Sequence, residues 1–166
     1  MTARLLYSAA TVAAVLSLAA CGGARTATFR DRGLTFDYPR AWSVSGFSPA
    51  VLPPRLVVAS YDVTPAQVTG DCAGSDALAN VPHDGAGLLL IDYGTAFSSS
   101  RFRSLPRHLA LGEFTRGNYE CFGDTYMLRF KAGRHDIQAH LKLGNRPSPG
   151  TIQRALHILD SVESSR

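Results

Sequence analysis

The hydrophobic pattern of this 166-residue chain predicts an α+β fold. An antiparallel sheet of about five to seven strands opens with a hairpin and is covered by a C-terminal amphipathic helix. Three observations carry this reading. Residues alternate at period two on both sides of Asp31-Arg32-Gly33. A longer alternation runs through Tyr126, Leu128 and Phe130, turns at Ala132-Gly133-Arg134, and continues through Ile137, Ala139, Leu141 and Leu143. Last, Ile152, Ala155, Leu156, Leu159 and Val162 recur at helical spacing.

Taken in order, Ala27-Thr28-Phe29-Arg30 is a short strand that turns at Asp31-Arg32-Gly33 into Leu34-Thr35-Phe36-Asp37-Tyr38. Pro39 ends that strand because it has no N–H to donate, and Trp42 plugs the core edge. Gly46 to Pro54 reads as loop, and Arg55 to Tyr61 as a mostly buried β-branched strand. Ser75 to Val81 reads as a short helix capped by Ser75, and Gly87 to Tyr93 as a central strand. Thr95 to Thr115 is the least patterned stretch, and its length marks it as a candidate functional loop. In the late hairpin, Asp136, Gln138, His140 and Lys142 are expected on a wet face. Ser148 and Pro149 supply the N-cap and first position of the closing helix.

The N-terminus has a different character. Met1 to Arg4 carries one positive charge, and Leu5 to Ala20 is an uncharged apolar run, shorter than the ~20 residues of a membrane span. Leu18-Ala19-Ala20-Cys21 resembles the lipobox of bacterial lipoproteins. That resemblance implies a signal peptide at 1–20, acylation of Cys21, a tether at 21–26 and one globular domain at 27–166. An uncleaved anchor, or ordinary cleavage near Ala24, stays open as an alternative.

Composition is that of a globular protein, 45% hydrophobic and 18% charged, with a formal net charge of +4. The basic residues are scattered, densest at Arg101, Arg103 and Arg107, without the aromatic-interleaved stripe of a nucleic-acid binder. The cysteines number three. If Cys21 is acylated, Cys72 and Cys121 remain as an even pair in an oxidising compartment, where a disulfide is expected. Closing that loop of about 50 residues would stabilise the domain by about 4 kcal/mol on the chain-entropy model.

Two stretches suggest a family. Gly33-Leu34-Thr35-Phe36-Asp37-Tyr38-Pro39, followed by Trp42, resembles the opening hairpin of the PsbP/Mog1-like group, and Thr151 to Val162 resembles its closing helix. More narrowly, Tyr119-Glu120-Cys121-Phe122-Gly123 and the hairpin after it are similar to uncharacterised exported actinobacterial proteins. The resemblance implies an αβα-sandwich-like arrangement and accessory or binding roles more often than catalysis. No functional residue carries over.

Catalytic signatures are weak. There is no HExxH, no paired CxxC, no phosphate loop and no Gly-x-Ser-x-Gly elbow around Ser98-Ser99-Ser100. His135 and His140 fall on opposite faces of one strand, so they do not share a metal. Asp84 and Asp92 have no carboxylate partner at useful spacing. No catalytic residue, metal or cofactor is therefore expected. Tyr93, Phe97, Arg101, Phe102 and Arg103 form a possible contact patch, with covering the sheet edge as the bland alternative. The expected function is a lipid-anchored extracytoplasmic binding or accessory module on the cell membrane. Its partner would be an envelope protein or a small apolar ligand, not nucleic acid. The alternatives are an exported cysteine hydrolase using Cys121, with His140 as its base, or a structural envelope component.

Overall fold

The computed structural model describes residues 25–48, 50–95 and 101–164. The lipobox, Cys21 and most of the tether lie outside the described residues, as does Phe97. The fold is α+β, with strands β1 (Thr26–Asp31), β2 (Leu34–Pro39), β3 (Ser43–Val44), β4 (Arg55–Ala59), β5 (Ala86–Asp92), β6 (Arg103–Ser104), β7 (Thr115–Tyr119), β8 (Gly123–Ala132), β9 (His135–Leu143) and β10 (Glu163–Ser164). Two helices, α1 (Ser75–Ala79) and α2 (Pro149–Asp160), lie among them.

The main sheet has seven strands in the order β3-β4-β5-β9-β8-β6, with β7 also paired to β8. Its neighbours are antiparallel except for the parallel pairing of β6 with β8. All seven residues of β5 are buried, which fits its place between β4 and β9. The opening hairpin stands apart from this sheet. It forms a three-stranded sheet with the last strand, in the order β1-β2-β10.

The helix α2 lies between the two sheets, close to β2 and β5. Ser148 Oγ accepts the Thr151 N–H at 3.0 Å and caps the helix. Ala155, Leu156, Ile158, Leu159 and Val162 join Leu34, Phe36, Leu88, Leu90, Phe130, Ile137 and Leu141 in the principal core. A smaller cluster of Val57, Ala59, Val68, Ala77, Leu78, Leu89 and Ile91 covers the opposite face beneath α1. The sheet is thus covered on both sides.

Three local expectations are corrected. Ser75 is not a cap: Gly74, with φ 90°, precedes the helix, and a Cβ there would press on Leu89 and Val57. The stretch before Thr115 is not a structureless loop, since it holds β6 and a 3-10 turn at Leu111–Glu113. The outer face of β8–β9 is not uniformly wet, because Asp136 and His140 are both buried. A covalent cover accounts for His140. The Cys72–Cys121 disulfide, with Cα atoms 5.3 Å apart, ties the segment before α1 to the β7–β8 turn and so holds Phe122 over the His140 ring.

The β1–β2 turn positions a side chain used below. Asp31 pairs with Leu34, so Arg32 and Gly33 are a two-residue loop, and both have positive φ, 49° and 80°. Two-residue hairpins with that backbone favour Asn-Gly, and a long side chain held there costs on the order of 1 kcal/mol.

Candidate functional site

A cleft of about 630 Å³ opens where the β1–β2 turn, the loop before β4 and the end of β5 converge. Leu52, Pro53 and Pro54 form one wall, Tyr93 and Gly94 another, and Asp92, His135 and Arg32 supply the polar groups. Leu52 is 84% exposed and is the large apolar side chain left in solvent among the described residues. Pro cannot donate a ladder hydrogen bond, so Pro53-Pro54 delays the start of β4 and leaves this wall free of the sheet.

Backbone pairing fixes the floor. Asp92 N–H donates to the Pro54 carbonyl at 3.0 Å, Tyr93 N–H to that of Asp136 at 2.9 Å, and Asp136 N–H to that of Gly94 at 2.9 Å. The wall before β4 and the starting end of β9 are both tied to β5. The Tyr93 ring meets Phe102 edge-on, with centroids 6.0 Å apart.

Asp92 and His135 form a pair that the sequence reading did not find. Asp92 Oδ1 accepts the Gly94 N–H at 2.7 Å, and Oδ2 lies 2.9 Å from His135 Nδ1. An ionised carboxylate only accepts, so Nδ1–H is the donor and the contact fixes the orientation of the ring. His135 Nε2 has no hydrogen-bond partner among the described residues. Asp92 is 6% exposed, with both oxygens engaged, so its charge is turned inward. No serine, threonine or cysteine is among the described residues that line the cleft. The arrangement orients a polar contact above an apolar wall. The signal open to sequence reading was an acid ending an apolar strand. Its partner 43 residues later had no local mark.

The expected contact patch is divided. Tyr93 lines the cleft, while Phe102 is buried and supports Tyr93 from behind, correcting the expectation of an exposed aromatic. Arg101 and Arg103 instead border a separate notch of about 390 Å³, together with Glu113, Phe114 and Arg129. That notch lies where β8 changes partner, from β7 at Met127 to β6 at Phe130. Arg103 donates to the Glu113 carboxylate at 3.1 Å across it.

Cys121 is bonded to Cys72 and presents no thiolate, and His140 makes no contact with it as a base. His140 belongs to a directed chain of hydrogen bonds. Arg129 only donates, so its Nε–H fixes Gln138 Oε1 as acceptor at 2.8 Å. The Gln138 amide nitrogen then donates to His140 Nε2 at 2.8 Å. His140 Nδ1–H is left to donate to Thr125 Oγ1 at 3.1 Å. Burial, then the charges of Arg129 and Arg55, push the His140 pKa down to about 4. The ring is neutral at physiological pH. Among the described residues, no three His, Cys, Asp or Glu side chains gather as a metal site.

Comparison with protein-family models, with curated proteins and with solved structures finds no match for this chain. The functional reading therefore rests on the cleft and on the sequence alone.

Proposed function

We propose that this chain is an extracytoplasmic lipoprotein, anchored by acylated Cys21, whose domain binds a small apolar ligand in the cleft between Leu52 and Tyr93. The cleft carries the reading: a concave apolar surface with few polar groups, of a volume within the roughly 300–1,000 Å³ of small-molecule sites. Its position supports presentation away from the bilayer. The chain enters the domain at the Thr26 end of β1, and Arg32 lies beyond the other end, about 17 Å along the strand. The longest apolar run of the sequence precedes Cys21, and no helix among the described residues is long and apolar enough to cross a membrane.

Two measurements test the two halves. Metabolic labelling with an alkynyl palmitate in the native host is expected to mark the wild-type chain and not Cys21→Ala; an unlabelled wild type refutes the anchor. With the full chain in nanodiscs, 1-octanol is expected to shift the Leu52 methyl and Tyr93 ring resonances. Resonances unmoved at saturating octanol refute the cleft.

A further inference from the structure

We propose that the cleft selects a monomeric amphiphile with a single anionic head, its apolar body on Leu52, Pro53, Pro54 and Tyr93 and its head on the Arg32 guanidinium. The inference rests on the reading of the cleft as the ligand site and adds the charge of what it takes. Three observations argue for it.

Arg32 is an exposed cation at the cleft mouth, with no hydrogen-bond or ion-pair partner for its side chain among the described residues. Its position is unfavourable for an arginine. The turn needs positive φ at both central residues and is best served by Asn-Gly, yet residue 32 carries a long cationic side chain that lines the cleft. Backbone strain concentrates at ligand clamps, where the side chain it holds has work to do.

Among the described residues that line the cleft, Arg32 carries the one permanent charge turned outward. Among those same described residues the one carboxylate is Asp92, which is buried with both oxygens engaged by Gly94 and His135. His135 Nε2 has no hydrogen-bond partner among the described residues and offers a second polar contact for the head. A guanidinium matches a planar carboxylate in particular, since it donates two parallel hydrogen bonds. The occupant is a monomer and not a bilayer surface. The cleft sits at the end of the β1–β2 hairpin opposite Thr26, and so at the far end of the hairpin from where a tether from Cys21 enters the domain.

Equilibrium dialysis of the full chain in phosphatidylcholine nanodiscs, against empty nanodiscs, tests this with octanoate, 1-octanol and octylamine. Octanoate is expected to bind at least tenfold more tightly than octanol, and octylamine more weakly than either. Arg32→Asn is expected to bring octanoate down to the octanol affinity without lowering Tm, because Asn suits the turn. Arg32→Lys should keep the preference to within a few-fold. Leu52→Ser should weaken octanoate and octanol alike. Equal affinity for octanoate and octanol overturns the anionic head while the cleft stands as an apolar site. An octanoate preference that survives Arg32→Asn overturns the role of Arg32. If octanol and octanoate both fail to bind, the cleft is not a ligand site, and that outcome refutes the reading beneath this one.

Discussion

Acidifying the protein should destabilise it through His140, and the direction follows from its surroundings. In the folded state the ring is buried, lies near Arg129 and Arg55, and has its pKa pushed down to about 4. In the unfolded chain it returns to about 6.5. Between those values the unfolded state binds the proton that the folded state refuses, so stability falls as pH falls. The contribution is intact above about pH 6.5 and fully lost below about pH 4. A shift of about 2.5 units at 1.36 kcal/mol per unit amounts to about 3 kcal/mol. Protonation at Nε2 also sets a donor against the Gln138 amide nitrogen, so the amide must turn away and its bond with Arg129 is lost. Urea denaturation at intervals from pH 7.5 to pH 4, read by the fluorescence of the buried Trp42, measures this. His140→Asn keeps a donor toward Thr125 and cannot take up the proton. It should be less stable at pH 7 but lose about 3 kcal/mol less on acidification than the wild type. Carboxylate titrations common to both proteins cancel in that difference. Parallel pH profiles for the two proteins would refute the reasoning.

Other substitutions test the core and the cross-link. Leu90→Ala, at a fully buried position in the central strand, should cost 2–5 kcal/mol by calorimetry, as large-to-small core changes do. Cys72→Ala/Cys121→Ala should cost about 4 kcal/mol on the chain-entropy model, and it should also make backbone amides of the 119–123 turn exchange faster, since the tie holding Phe122 over His140 is gone. Gly144→Ala should prevent soluble expression or lower Tm sharply, because a Cβ there collides with the Pro82 and His83 carbonyl groups. A Gly144→Ala protein with unchanged Tm would contradict the packing of that loop on β9.

The fold was legible where burial is one-sided and periodic. The helix α2 shows its stripe because one face meets the core and the other meets water, and β5 shows an unbroken apolar run because both its faces are covered. The same logic explains where the reading faltered. His140 looks like a water-facing residue, since polarity in a strand ordinarily means solvent. Its burial depends on a disulfide between distant positions and on Phe122, neither of which leaves a mark in the period of β9. β7 was missed because Thr115 to Tyr119 has almost no apolar content, and it is held at the sheet edge by backbone pairing to β8.

The candidate site was less legible because it is made of ends. Arg32 lies in a turn, Leu52 in a loop, Asp92 at the last position of β5 and His135 at the first of β9. Period and propensity describe the interiors of elements; where two ends meet is decided by register. Here the β5–β9 register pairs Asp92 with Ile137, two residues from His135, and so brings an acid and an imidazole within 2.9 Å. A shift by one residue would turn every β9 side chain to the other face and break both the dyad and the core together. The polar group in the cleft is therefore stabilised by the same Ile137, Ala139 and Leu141 burial that holds the sheet. Selection for folding alone would maintain the register, but it gives no reason for an arginine at the φ 49° position beside it. Exchange of that one side chain separates what the fold requires from what the cleft requires.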